Sequence, residues 1–217
     1  TEPTIESANT LFQHPDVNLI SVTGGPGVAR AAMRQSKRAI VAGPGNPPVV
    51  VDETADLDRA ARSIILGASY DNNLLCTAEK QVFAVEPILD RLMAAMERAG
   101  AVRLNNQEIQ RLTKEAITSV GEGKDKHDVP QKNFIGADAA VLARAAGQNI
   151  SPDVELIFGE TDESNPFVPV EQMMPFVPFV RCRDVDDAIE KALRSEHGFR
   201  HTSLIHSNNV RNMTKMG

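Results

Sequence analysis

Short apolar runs alternate with stretches of helical periodicity along almost the whole chain. Residues 3–14 fit a short helix, and residues 17–22 (V-N-L-I-S-V) read as a buried strand. Thr23-Gly24-Gly25-Pro26-Gly27 makes a tight turn, and residues 28–36 follow as a small-residue helix with Arg30 and Arg34 outward. Residues 39–42 are the next expected strand. The breaker-rich G-P-G-N-P-P of residues 43–48 leads into an apolar strand at 49–52. Leu57, Ala61, Ile64, Ile65 and Ala68 then fall at helical spacing over 55–68.

The same alternation continues beyond. Residues 81–86 form a strand. Ile88, Leu89, Leu92, Met93 and Met96 make the apolar stripe of a helix that Gly100 ends. Helices are expected over 107–120, 137–146 and 185–195, and strands over 154–158, 179–182 and 202–206. Residues 121–132 read as a charged surface loop and 159–166 as an acidic turn. Residues 166–178 form an apolar, proline-interrupted run around Glu171-Gln172-Met173-Met174-Pro175, and residues 208–217 look like a helix that has barely begun. Strand alternating with helix indicates an α/β fold with a mostly parallel sheet covered by helices.

Composition narrows the function classes. At 217 residues the chain is long enough for a sizeable core. Two cysteines far apart argue against a disulfide framework and for a reducing cytoplasm. A net charge of -6 with scattered Lys and Arg gives no electrostatic grip on nucleic acid. No apolar run approaches the ~20 residues that cross a bilayer. The chain begins with Thr, which is the expectation for a piece of a longer protein.

Candidate chemistry centres on residues 69–81 (S-Y-D-N-N-L-L-C-T-A-E-K-Q), where Cys76 lies in a connection between a helix and a strand. Cys76 is read as a catalytic thiol, against the commoner fate of a free cysteine as a small buried hydrophobe. The T-G-G-P-G turn at Thr23, Gly24, Gly25 and Gly27 offers backbone N–H groups to a cofactor. It lacks the G-x-G-x-x-G spacing, so a purely structural turn is the favoured reading of that window alone. Glu171, in an apolar setting, needs a partner such as a ribose hydroxyl or a basic side chain, and a solvated loop glutamate is an equal alternative. Glu196, His197 and His201 superficially suggest a metal cluster, but Gly198 interrupts any helix that would align the imidazoles, and no metal is expected. Pairing of Cys76 with His201 or His206 is left open by the sequence.

Taken together these stretches resemble the aldehyde dehydrogenase superfamily, and in detail its CoA-acylating branch from bacterial microcompartments. T-G-G-P-G is similar to the family's T-G-S turn beside the nicotinamide, and residues 41–56 to its L-E-L-G-G-K-x-P-x-I-V-x-x-D-A-D segment. Cys76 falls on the nucleophile, and E-Q-M-M-P at 171–175 on E-x-F-G-P, whose Glu holds the nicotinamide ribose. Ala42 stands where hydrolytic members carry the glutamate that activates water, Asn46 replaces the usual Lys, and Met173 the usual Phe. The resemblance implies a three-layer αβα fold with a mostly parallel sheet. Residues 1–41 would end the cofactor domain, 42–205 form the catalytic domain, and 206–217 start a further helix.

It also implies oxidation of acetaldehyde or propionaldehyde by NAD, with coenzyme A as acyl acceptor. Cys76 would be the nucleophile, Thr23, Gly24, Gly25, Gly27 and Glu171 the cofactor contacts, and His201 a pocket residue on the CoA or acyl path. The parent would be a homo-oligomer in the cytoplasm or the lumen of a microcompartment, with no nucleic-acid or membrane partner. The segment alone is expected to be inactive, since most of the cofactor domain and the oxyanion Asn belong to parts outside it. A hydrolytic aldehyde dehydrogenase and a non-catalytic scaffold of the same fold are the competing readings; Ala42 weighs against the first, and the joint presence of Cys76, Glu171 and the glycine turn against the second.

Overall fold

A computed structural model describes residues 2–123 and 126–217, and the chain divides into two compact units, residues 1–44 and 45–217. In the first unit, α1 (Ile5–Gln13) opens on a capping box in which Thr4 and Ser7 satisfy each other's backbone N–H groups. β1 (Leu19–Thr23) leads through Gly25 into α2 (Pro26–Met33), and β2 (Arg38–Ala42) returns parallel to β1, with Thr23 opposite Ala42. Ile20, Val22 and Ala32 form a small core between them.

The second unit is built on β3 (Pro48–Val51), α3 (Leu57–Ser69), β4 (Gln81–Val85), α4 (Glu86–Arg98), β5 (Val102–Arg103) and α5 (Asn106–Ala116). A hairpin of β6 (Ile117–Val120) and β7 (His127–Pro130) follows, then α6 (Ala139–Ala146), β8 (Ile157–Thr161), β9 (Phe176–Cys182), α7 (Val185–Ser195), β10 (Leu204–His206) and α8 (Val210–Met216). Six strands form one sheet in the order β10-β3-β4-β9-β8-β5, every pair parallel. Its central strands are buried on both faces: one apolar cluster joins Val49, Val82 and Phe179 to α3 and α4, and another joins Val50, Phe83 and Val180 to α7. Strands without an exposed face read as continuous apolar runs, which is why β3 and β4 are so plain in the sequence.

Several sequence expectations are corrected. The helix expected over 107–120 ends at Ala116, because I-T-S-V (117–120) is largely β-branched and pairs antiparallel with β7, while Gln131 N–H takes the Ala116 carbonyl at 2.8 Å. The loop expected over 121–132 therefore contains β7. β8 begins three residues later than expected and runs into the expected acidic turn, since Glu160 lies opposite Phe179 and its carboxylate binds Arg181 at 2.9 Å. β9 begins at Phe176, inside the proline-rich run. Its Pro178 precedes Phe179, where the ladder to β4 starts, so the absent N–H falls where that side has no ladder to make.

Candidate active site

Four segments run directly into the amino ends of adjacent strands: residues 45–47 into β3, 74–80 into β4, 169–175 into β9 and 199–203 into β10. In a parallel sheet ordered β10-β3-β4-β9, segments that precede strands must gather at one edge. Three of the expected site residues, Cys76, Glu171 and His201, arrive there.

The Cys76 loop is shaped by three successive left-handed residues, Asp71, Asn72 and Asn73, with φ of 50, 49 and 66°. Asx residues bear this conformation best, because their short polar side chains bond locally. Asn73 is fully buried; its Nδ2 donates to the Ala68 carbonyl at 2.8 Å and the Glu79 carbonyl at 2.9 Å, drawing the loop's two ends together. Asn72 ties the outside of the loop to the Gly136 carbonyl and the Asp138 carboxylate, both at 2.9 Å. Cys76 sits between these fastenings as a free, half-buried thiol.

Beneath the loop lies Lys80, fully buried, whose Nζ donates to the Asn73 carbonyl at 2.6 Å and Asn73 Oδ1 at 2.7 Å. Burial pushes its pKa down to about 8, opposed by the charges of Glu171, Cys76 and Glu79. Burial likewise raises the Glu79 carboxyl, against its own backbone N–H and Lys80. Glu171 is half-buried. Its pKa is raised by burial and restrained by Lys80, by a hydrogen bond from the Gly45 N–H, and by His201.

Gly45 is the crossing point. A Cβ placed there would stand 2.5 Å from the Cys76 carbonyl oxygen and 3.4 Å from His201 Cγ, so only glycine lets these two segments meet. Polar braces fix the rest. Lys80 N–H binds the Pro47 carbonyl at 3.0 Å, and Gln172 Nε2 spans the Lys80 and Phe176 carbonyls at 2.8 and 2.9 Å. Asn46 Nδ2 reaches the Val168 and Ser195 carbonyls at 3.0 and 2.8 Å, and Gln81 Nε2 reaches Ser195 Oγ at 2.9 Å.

Glu196, His197 and His201 do not converge on a common point: Glu196 binds backbone N–H groups, His197 Nε2 meets the Pro169 carbonyl at 2.6 Å, and His201 Nδ1 meets Thr202 Oγ1 at 2.8 Å. Among the described residues no group of His, Cys, Asp and Glu could hold a metal ion. Thr23, Gly24, Gly25 and Gly27 lie in the first unit, at the end of β1 and start of α2. Gly24 N–H is held by the Ala42 carbonyl at 3.3 Å, and nothing stands within 4 Å of where a Cβ would be on the three glycines.

Lys80, Asn73 and Gly45 were not singled out from the sequence. The D-N-N triplet was the available signal for a left-handed turn. A lysine ahead of an apolar strand gives none, because Lys is almost always exposed.

A model of the aldehyde dehydrogenase family matches residues 1–217. The chain is 44% identical over 215 residues to the acetylating acetaldehyde dehydrogenase EutE of Salmonella typhimurium, covering 99% of this chain and 46% of that protein. It superposes with a TM-score of 0.91 and 40% identity on a Rhodopseudomonas palustris propionaldehyde dehydrogenase with bound CoA and an acylated cysteine, covering 99% of this chain and 48% of that one. A propionaldehyde dehydrogenase from the Clostridium phytofermentans fucose utilisation bacterial microcompartment gives a TM-score of 0.90 at 40% identity, with 99% and 48% covered. The chain thus spans about half the length of these three relatives.

Proposed function

Because this chain belongs to the aldehyde dehydrogenase family, we propose that it carries the thiol-bearing part of a CoA-acylating enzyme that oxidises acetaldehyde or propionaldehyde. The observation that carries the reading is the meeting of Cys76, Glu171 and His201 around Gly45, with a buried cation beneath. Relatives that act on acetaldehyde or propionaldehyde, one of them holding CoA and an acylated cysteine, support the substrate class.

As thiolate, Cys76 bonds through sulfur to the aldehyde carbon, and the carbonyl pair moves to oxygen. The Cys76 backbone N–H then faces the alkoxide. Loss of the carbon's hydrogen as hydride leaves a thioester on Cys76; NAD, when bound, supplies the acceptor for that hydride. The CoA thiolate adds to the thioester carbon, and the carbon–sulfur bond to Cys76 breaks so that Cys76 departs as thiolate. Lys80 sets a positive charge near the sulfur whenever the sulfur is negative, and near Glu171. Glu171 is the ribose-binding group in this reading, and His201 stands on the acyl path. Gly24, Gly25 and Gly27 fit a dinucleotide because their backbone is open and α2 begins without a side-chain cap. Ala42, at the end of β2, has no group to activate water, which favours a thiol acceptor. Residues 1–41 are proposed as the end of the cofactor domain, and the complete protein as an oligomer that works in the cytoplasm or inside a microcompartment.

The test is NADH formation from propionaldehyde by the complete protein, with and without CoA, against Cys76→Ala. Sustained turnover that needs both CoA and Cys76 is expected. Sustained turnover without CoA would make water the acceptor, and turnover that survives Cys76→Ala would remove the thiol from the reaction.

A further inference from the structure

Glu196 breaks a local rule. It is the C-cap of α7, where the unpaired carbonyls of the helix end concentrate negative charge and a carboxylate is disfavoured. It is also nearly buried, although no basic side chain binds it among the described residues. Departures of this kind point to a task.

The carboxylate instead collects backbone donors from the loop that follows. Gly198 N–H binds one oxygen at 3.0 Å, Arg200 N–H binds the other, and His201 N–H approaches that same oxygen at 3.4 Å. The loop it gathers is strained: His197 and Arg200 are left-handed non-glycine residues with φ of 60 and 53°. Left-handed backbone is unfavourable for L-residues that carry a Cβ, so the turn needs an external hold. Glu196 is itself rigidly mounted, because Ser195 beside it is pinned through its carbonyl by Asn46 and through its hydroxyl by Gln81. A second anchor, His197 Nε2 to the Pro169 carbonyl, fixes the loop to the segment that carries Glu171. What leaves this loop is His201, whose ring lies against Gly45 opposite the Cys76 carbonyl.

We infer that Glu196 is a positioning residue for transfer of the acyl group from Cys76 to CoA: its carboxylate folds residues 197–201 into the one turn that sets the His201 ring against the Cys76 loop. The inference rests on the reading that His201 serves the acyl path. Thioester formation does not pass through this turn, so loosening it should separate the two half-reactions. An isosteric amide keeps one acceptor oxygen but turns N–H groups towards Gly198 N–H, which undoes the grip without changing size.

The experiment uses the complete protein and four forms: wild type, Glu196→Gln, His201→Ala and the double variant. Rapid mixing with propionaldehyde and NAD alone reads the burst of NADH; addition of CoA reads acyl transfer. Glu196→Gln should keep the burst rate within twofold and slow the CoA-dependent step about tenfold, with Glu196→Asp recovering part of the loss. In the His201→Ala background the same change should cost less than twofold, because the penalty acts through the missing ring. A penalty that multiplies in the double variant, or a burst slowed as much as transfer, would overturn the inference and leave Glu196 a stabilising loop residue. Unaltered transfer in His201→Ala would instead overturn the underlying role of His201, a distinguishable result. If Glu196→Gln does not fold, Glu196→Asp carries the same cycle.

Discussion

Replacing Lys80 with Met removes a fully buried ammonium while keeping an unbranched side chain of similar length in its place. In the folded chain the Lys80 pKa is pushed down from 10.5 to about 8. Below pH 8 both folded and unfolded states hold the proton, and folding bears the whole cost of burying the charge. Between pH 8 and 10.5 the unfolded state binds more protons than the folded one, so the stability of the wild type rises with pH across that window. A shift of this size corresponds to about 3 kcal/mol, at ~1.4 kcal/mol per pH unit. Lys80→Met loses the two hydrogen bonds to Asn73 at every pH, while near neutrality it also sheds the cost of burying the charge, so the two effects oppose each other there. The decisive quantity is the difference in unfolding free energy between wild type and variant, from denaturant titrations at pH 7, 8, 9, 10 and 10.5. Ionisations that do not touch Lys80 cancel in the difference. The difference should widen by about 3 kcal/mol in favour of the wild type, mostly above pH 8. A difference flat to within about 0.5 kcal/mol would refute a buried, charged Lys80, since that is near the precision of such extrapolations.

Three further outcomes follow from the same geometry. Gly45→Ala puts a methyl 2.5 Å from the Cys76 carbonyl; thermal or denaturant unfolding should show a loss of about 1–3 kcal/mol, and aldehyde oxidation by the complete protein should fall by at least tenfold. Asp52 is buried, and although burial favours its neutral form, hydrogen bonds from Asn212, Ser207 and Thr54 hold its pKa below the ordinary 3.8; the stability this supplies is complete above that value and fades as pH falls below it, so Asp52→Asn should show a shallower loss in acid titration. Native alkylation with iodoacetamide at pH 8, read by peptide mass spectrometry, should modify Cys76 alone, because burial pushes the Cys182 thiol up to about 12, with Lys191 only partly offsetting it.

Much of this architecture is legible in the chain, and the exceptions have physical causes. Helix α7 lies where its periodicity puts it, because polar and apolar residues alternate cleanly around an amphipathic helix. β6 is hidden because I-T-S-V continues the apolar spacing of α5, and the partner that decides its state lies seven or more residues further on. β5, at two residues, is too short to carry a period. Cys76 and Glu171 stand out in the sequence as candidates because their motifs are local. Lys80, Asn73 and Gly45 do not, because their importance comes from burial and from what faces them across strands, neither of which is written in neighbouring residues.

The order of strands also apportions rigidity. Cys76 and Glu171 hang from β4 and β9, interior strands hydrogen-bonded on both sides, whereas His201 hangs from β10, which among the described residues pairs with β3 alone. Strands with a single neighbour open at lower free energy than those held on both flanks. The thiol and the carboxylate therefore lead into strands that open at higher free energy, and the histidine into one that opens at lower. On the proposed reading, such a division would keep the carbon–sulfur chemistry in a fixed frame while the arm beside it yields to an incoming acceptor and closes again behind a departing one.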